Sequence, residues 1–209
     1  MATEKRVYTQ GVTPKGQLVF PHIYAPEEYE GKDVGYSVQI KFGQKETDSL
    51  IAKIDEELEK AKSSIKLKPG QKWSSDPFLS YKEDKDGDIV FKFKTTSTFQ
   101  TRTGDVVERK IPVFDAHGKP IKETLSIGNG TVAKVAYTII PYWMSKAVNG
   151  IKLRLEAVQI IDLVEYGERK ADSYGFASEE GFDADSITHT DTEDDGVVFV
   201  EGDEEEGDF

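Results

Sequence analysis

Alternation of apolar and polar residues runs through most of this chain and predicts strands. Between Val34 and Phe42 every second residue is apolar, so that one face of a half-buried strand would collect all of these side chains. The same period of two recurs over Ile89–Gln100 and over Ala133–Ile139. In Ile151–Leu155 it sets the aliphatic residues inward and the charged ones outward. Each of these segments is expected to bury one face.

Weaker patterns predict the remaining strands and the turns between them. Asn149-Gly150 is typical of a β-hairpin turn, and residues 115–120 form a polar turn segment. The apolar parity slips at residues 158–161, which indicates a bulge or burial on both faces. Additional strands are predicted over residues 5–12, 18–24 and 106–114.

One segment changes from a period of two to a helical period. Thr47 is the predicted N-cap and Asp48 places a negative charge in the first turn. The helix is expected to end near Lys68-Pro69-Gly70. Its apolar face repeats at helical spacing through Leu50, Ile51, Ile54, Leu58, Ala61 and Ile65.

The order of these elements limits the fold class. Five to seven strands with one helix among them do not alternate as βαβα, so an antiparallel barrel or sandwich is favoured over a Rossmann-type sheet. Periodicity alone predicts a small β-barrel with one helix. The small barrel that commonly carries a helix between strands is the OB-fold. The prediction is therefore a mainly β protein, an OB-fold with a five-stranded Greek-key barrel, extra strands and one inserted α-helix.

Charge divides the chain into two parts. All 27 basic residues lie at or before Lys170, whereas 15 of the 39 acidic residues follow it. Residues 1–170 are thus predicted to form the folded domain, and residues 171–209 an acidic C-terminal tail. The tail has too little apolar surface to offset its ordering entropy, so it is expected to be disordered when free. Its acids are interrupted by Phe176, Phe182, residues 197–200 and Phe209, which a purely solubilising tail would not need.

A search for catalytic chemistry finds little. The chain has no cysteine, which excludes disulfides and thiolate metal sites. His22, His117 and His189 do not have metal-ligand spacing, and residues 84–88 fit a hairpin turn better than a calcium loop because the glycine is misplaced. No phosphate-binding loop, signal peptide or long apolar run is present. We therefore predict a soluble intracellular protein that is not an enzyme and uses no metal or cofactor.

Signals for binding are stronger when they are taken together. Single-strand binders combine a cationic groove with aromatic faces on which bases stack. Lysines on a strand's outer face can also serve only to keep a sheet soluble, and that interpretation stays open for each of them. Trp73 lies in a polar loop, which favours exposure and stacking. The predicted DNA-binding residues are Trp73, Tyr81, Lys92, Lys94, Phe99, Arg102, Arg109, Lys110, Lys134, Tyr142, Trp143, Lys146, Lys152 and Arg154.

Several segments, in this order, resemble the single-stranded DNA-binding proteins of T7-like bacteriophages. The similarity is clearest from Asp76 to Gly167 and at the C-terminal end, and the spacing around Tyr142-Trp143 differs by one residue. The segments that carry it are Phe91-Lys92-Phe93-Lys94, Ser97-Thr98-Phe99-Gln100, residues 113–119, Ile127-Gly128-Asn129-Gly130, residues 135–142, Ala147-Val148-Asn149-Gly150 and residues 203–209.

The resemblance implies an OB-fold that binds and protects single-stranded DNA without sequence specificity and promotes annealing during phage replication, recombination and repair. It implies residence in the cytoplasm of the infected bacterial host. An N-terminal basic contact would come from Lys5 or Arg6. It also implies a tail that contacts the phage DNA polymerase and helicase-primase and supports a homodimer; the partner-binding residues would be Asp203, Glu204, Glu205, Glu206, Asp208 and Phe209.

Two further hypotheses follow from the charge pattern. The anionic tail is expected to compete with DNA for the basic face, because a tethered ligand has a high effective concentration. The main alternative function is an acidic-tailed adaptor or chaperone whose barrel does not touch nucleic acid. A nuclease or another enzyme is a third alternative, which the missing metal cluster disfavours.

Overall fold

In the computed structural model of the protein, residues 8–165 are described, and they form ten strands and one helix. The helix, α1, spans Gln44–Ser64. The strands are β1 (Gln10–Val12), β2 (Gly16–Tyr29), β3 (Lys32–Lys41), β4 (Tyr81–Glu83), β5 (Ile89–Thr95), β6 (Thr98–Gln100), β7 (Val106–Glu108), β8 (Val113–Phe114), β9 (Val132–Trp143) and β10 (Asn149–Asp162).

Five of the strands close into a barrel. They pair in the order β9-β2-β3-β5-β10, and β10 returns to pair with β9 along most of its length. The β5–β10 pair is parallel and the other four are antiparallel. Strands β1, β4 and β8 extend this sheet, while β6 and β7 form a separate hairpin. The predicted OB-fold, with extra strands and one inserted helix, is confirmed.

The barrel interior holds the residues that the alternation placed inward. Val38, Ile40, Phe91, Phe93 and Ile139 are fully buried. Strand β10 buries Ile151, Leu153 and Leu155, as predicted. Val90 has the opposite parity from Phe91, which predicts an outward position, yet it is only 4% exposed. The prediction is wrong for this residue, which is paired between Lys41 of β3 and Lys82 of β4.

The helix begins before the predicted cap. Its N-cap is Gly43, which has no side chain to make a capping hydrogen bond. Thr47 lies one turn inside the helix, and its N–H donates to the Gly43 carbonyl at 3.0 Å. Thr47 is buried and so packs rather than caps, which corrects the predicted start. The apolar face is confirmed by burial of Leu50, Ile54 and Leu58, and α1 packs against β9 and β10.

Two turn predictions need correction. Asn149 and Gly150 pair with Trp143 and Tyr142 and are the first residues of β10, so the chain reverses over residues 144–148 instead. The Asn149 side chain donates to the carbonyls of Ser145 and Lys146 at 2.9 and 3.0 Å, which closes that loop. The predicted strand over 106–114 is divided into β7 and β8.

Other boundaries agree more closely with the pattern. The parity slip in β10 is a bulge, with register shifts after Leu155 and after Ile160. The turn at 115–120 is stabilised by the Asp115 carboxylate, which accepts from the N–H groups of His117 and Lys119 at 2.9 and 2.8 Å. None of the helices within residues 8–165 is long and apolar enough to cross a membrane.

Some predictions concern residues outside the described range. Lys5, Arg6, His189, the boundary at residue 170 and the acidic tail all lie there. The two-part organisation therefore stays a prediction from charge and composition.

Candidate nucleic-acid interface

Four basic side chains form a band across the outer surface of β5 and β10. Leu153 is paired in parallel with the inward Phe93, so that Lys92 lies beside Lys152, and Lys94 beside Arg154. These four residues, Lys92, Lys94, Lys152 and Arg154, are called the cationic strip below. Their outward positions follow from the same alternation that buries the neighbouring aliphatic residues.

A cavity of about 400 Å³ opens between the two strands of the cationic strip. Lys92, Lys94 and Lys152 line it, and Val34 and Phe78 supply apolar surface. A cavity lined by both lysines and apolar side chains suits a ligand that is anionic at one end and flat and apolar at the other. A nucleotide has both properties.

Two carboxylates partly neutralise the cationic strip. Lys92 Nζ lies 3.1 Å from Glu27 Oε2, and the Ser37 hydroxyl donates to the same oxygen at 2.9 Å. Arg154 Nε donates to Glu156 Oε1 at 2.7 Å. Burial in itself raises the pKa of the Glu27 carboxyl, but the hydrogen bonds from Ser37 and Lys92 outweigh it and hold that pKa below its ordinary value. Glu27 therefore stays ionised at neutral pH and competes for Lys92.

Tyr142 lies at the end of the cationic strip, on the outward parity of β9. Lys152 Nζ is 4.5 Å from the centre of its ring, a cation–π distance. Burial raises the pKa of the Tyr142 hydroxyl, so the ring is neutral at physiological pH. A second cavity, of about 630 Å³, is lined by Tyr142, Tyr81, Phe78 and Val148 among others.

Both tryptophans are half-buried. Trp73 is half-buried and packs against the core, with its indole N–H buried and without a hydrogen-bond partner among residues 8–165. The exposure that the polar loop suggested is therefore incomplete. Trp143 is on the inward parity of β9, and its Nε1 donates to the Lys72 carbonyl at 3.2 Å. Tyr81 also packs, with its ring 5.5 Å from that of Phe91.

The β6–β7 hairpin forms an exposed arm. The Arg109 guanidinium lies 5.2 Å from the centre of the Phe99 ring, and its Nε donates to the Thr96 carbonyl at 3.1 Å. Ser97 at the base of the arm hydrogen-bonds Asp33 near the start of β3. Arg102 is exposed at the tip. The arm thus presents a ring and two cations beside the barrel.

Three of the predicted residues lie apart from the cationic strip. Lys110 lines a different cavity, with Tyr24 and Ile121. Lys134 shares the outward face of β9 with Tyr142 but is eight residues away, about 27 Å along the strand. Lys146 is exposed in the loop at 144–148. Of the predicted set, the structure brings the four residues of the cationic strip together with Tyr142, and Tyr81 lines the 630 Å³ cavity beside Tyr142.

Sequence reasoning missed Phe78. This residue is 54% exposed and lines both the 400 Å³ and the 630 Å³ cavity. It lies in an aperiodic segment, where neither strand nor helix patterning assigns a face. The only signal in the sequence was a large apolar residue after Pro77 in a polar segment.

In the acidic turn at 84–88, the Asp84 carboxylate already binds groups of the protein itself. The Asp84 carboxylate accepts from the N–H groups of Asp86 and Asp88 at 2.9 and 3.0 Å, and Lys41 Nζ lies 2.5 Å from it. Across the described part of the chain, no group of three or more His, Cys, Asp or Glu residues could hold a metal ion.

A known protein family matches this chain over most of its barrel. The sequence profile described as "Single-stranded DNA-binding protein, Bacteriophage T7" matches residues 30–163, which include the barrel strands β3, β5, β9 and β10. The chain belongs to this family. The resemblance inferred from the motifs is thereby confirmed.

Two relatives in the family show how far the similarity extends. The single-stranded DNA-binding protein of Enterobacteria phage T3 is 29% identical over 197 residues, covering 85% of each chain. The protein of the same name from Escherichia phage T7 is 31% identical over 151 residues, covering 68% of this chain and 64% of its own.

Solved structures share the fold of this family member. The gp2.5 single-stranded DNA-binding protein of bacteriophage T7 superposes with a TM-score of 0.66 at 24% identity, covering 85% of this chain and 100% of that one. A single-stranded DNA-binding protein from bacteriophage Enc34, solved in complex with single-stranded DNA, gives a TM-score of 0.53 at 15% identity, with 76% and 89% covered.

Proposed function

We propose that this protein binds single-stranded DNA without sequence specificity, through the cationic strip and the two cavities beside it. The observation that carries the proposal is the placement of Lys92, Lys94 and Lys152 around a cavity with apolar walls. Membership of a family of phage single-stranded DNA-binding proteins supports it. No residue of this interface is assigned a catalytic role.

The chemistry of the interface favours unpaired strands. Flat apolar walls can accept a base only when that base is not stacked within a duplex. We expect the cationic strip to contact phosphates and the apolar walls to stack on bases, and neither kind of contact depends on the identity of the base. Each phosphate that a lysine neutralises contributes about −0.7 to the slope of log K against log salt concentration.

The acidic tail is proposed to regulate this interface. Its 15 acids follow the folded domain directly, so they would act as an intramolecular competitor for the cationic strip. DNA would displace the tail and free its last residues, Asp203–Phe209, for the phage polymerase and helicase-primase. Roles in replication, recombination, repair and strand annealing in the host cytoplasm, together with homodimer formation, belong to the same proposal.

Binding by the full chain and by a chain ending at Lys170 tests both parts. Fluorescence anisotropy with labelled oligo-dT and with duplex DNA should show tighter binding to the single strand in each case. Truncation should strengthen binding most at low salt, because the tail competes best where its own contacts with the cationic strip are least screened. Failure of the truncated chain to bind oligo-dT at low salt would refute DNA binding and leave the adaptor hypothesis. Unchanged affinity after truncation would refute only autoinhibition.

A further inference from the structure

Phe78 combines a fixed backbone with an exposed ring. Its N–H donates to the Asn149 carbonyl at 3.0 Å, and its own carbonyl accepts from the Ile151 N–H at 2.7 Å. Both main-chain polar groups are therefore bound to β10, and the 54% exposure of the residue belongs mostly to the ring. An exposed aromatic ring that costs little entropy to immobilise is a preorganised binding surface.

Gly150 allows this close approach to β10. Its φ of +143° and the space around it both require glycine, because a Cβ at this position would lie 2.0 Å from the Phe78 carbonyl oxygen. Gly150 pairs with Phe78 on one side and with Tyr142 on the other. The two aromatic residues consequently flank a residue without a side chain.

The distance between Phe78 and Tyr142, on either side of Gly150, fits one base. Phe78 and Tyr142 are two strand spacings apart, roughly 10 Å between Cα atoms. A flat base between two rings needs about 7–8 Å from ring to ring, which is twice the carbon–carbon contact distance. Lys152 already lies over one face of the Tyr142 ring, which leaves the other face for a base. Both rings line the 630 Å³ cavity.

The other cavity that Phe78 lines has a different character. It is lined by Lys92, Lys94 and Lys152 as well as by apolar residues, which suits the phosphate and base of an adjoining nucleotide. Phe78 is therefore a wall shared by an aromatic cavity and a cationic cavity.

We propose that Phe78 divides two consecutive nucleotides of a bound single strand. One base is sandwiched between Phe78 and Tyr142, and the next nucleotide occupies the cavity of the cationic strip. This inference rests on the proposed function and assigns a stacking role to a residue that the sequence did not single out. It predicts that Phe78 and Tyr142 act on the same base.

The test uses the full chain with Phe78→Leu, Tyr142→Leu and the double variant, measured by anisotropy with oligo-dT. Leucine keeps apolar bulk at the site and removes the flat ring. Phe78→Leu is expected to weaken binding by roughly 5- to 150-fold with an unchanged salt slope, and Phe78→Trp to retain binding. Phe20→Leu is the matched control, since Phe20 is 59% exposed and lines neither cavity. Thermal unfolding verifies that each variant folds.

Two comparisons make the outcome decisive. If the rings sandwich one base, the fold-loss of affinity in the double variant should be smaller than the product of the fold-losses in the two single variants. A loss equal to that product would refute the sandwich. At low salt, where phosphate contacts support binding, Phe78→Leu should match wild type on an oligonucleotide of contiguous abasic residues, and a persisting deficit would overturn stacking. Wild-type affinity for Phe78→Leu on oligo-dT would also refute the inference, whereas failure of the wild type itself to bind would refute the proposed function.

Discussion

The ammonium of Lys92 lies 3.1 Å from the carboxylate of Glu27, within the surface proposed to bind DNA. The two residues are 65 positions apart in the chain and meet because β2 and β5 both flank β3. A carboxylate at this position competes with phosphate for the lysine, and it therefore limits affinity.

Removing that charge should tighten DNA binding. Glu27→Gln preserves the size of the side chain and frees Lys92 for a phosphate, so we expect higher affinity for oligo-dT and a salt slope steeper by about 0.7. Anisotropy titrations at several salt concentrations measure both quantities. Glu59→Gln, on the exposed face of α1 beside Lys62, changes the net charge equally and should leave the slope unaltered. An equal response in the two variants would indicate a general charge effect.

Substitution of Trp73 should mainly lower stability, whereas substitution of Tyr142 should mainly weaken DNA binding. Trp73 packs against the core, so Trp73→Ala is expected to lower the free energy of unfolding by about 2–3 kcal/mol, somewhat below the value for a fully buried tryptophan. Tyr142→Ala should weaken oligo-dT binding with a smaller loss of stability. Urea unfolding and anisotropy on both variants make the comparison. Strong loss of binding by a fully folded Trp73→Ala protein would instead support the stacking role predicted from its polar loop.

Gly150 should tolerate no side chain. Gly150→Ala places a Cβ against the Phe78 carbonyl in addition to straining a positive φ, so we expect destabilisation of at least about 2 kcal/mol. Gly104→Ala is the control: Gly104 has φ +95° with nothing within 4 Å of its Cβ position, and about 1 kcal/mol of backbone strain is expected. Urea midpoints measure the difference. Equal losses would mean that Phe78 moves aside without cost.

The ion pairs of Lys41 should make the stability of the protein fall in the alkaline range. Hydrogen bonds to Asp84 and Asp88 raise the pKa of Lys41 from 10.5 to about 12. A group whose pKa is higher in the folded state contributes stability that is complete below the unfolded value and is lost as the pH rises through the folded value. The stability difference between wild type and Lys41→Met should therefore be constant up to about pH 10 and shrink towards pH 12.

Measurement of that difference by urea unfolding cancels the titration of the other residues. Lys82→Met, at an exposed position of β4, is the matched control and should show no such change. The same ion pair lowers the pKa of Asp84, so its contribution should be lost at the acid end, as the pH falls through the folded value. A flat difference across the alkaline range would contradict the contact.

The sequence predicts the features of this protein that depend on residues close together in the chain, and it misses those that depend on contacts between distant residues. Period-two alternation identified the inward faces of β3, β5, β9 and β10, and a helical period identified the buried face of α1, because both patterns depend on neighbouring residues alone. The same parity placed Lys92, Lys94, Lys152 and Arg154 outward. The division of charge at Lys170 also follows directly from the sequence.

The tertiary structure decided which of these outward residues meet. Strand pairing brought β5 beside β10 and Glu27 to Lys92, while Lys134 and Lys110 were placed elsewhere. It also gave Asn149-Gly150 a role that local propensity missed: a pair typical of turns begins a strand, because Gly150 must admit the backbone of Phe78. Contacts between residues far apart in sequence leave no periodic signal, so the convergence of Phe78, Gly150 and Tyr142 became visible only once the barrel had closed.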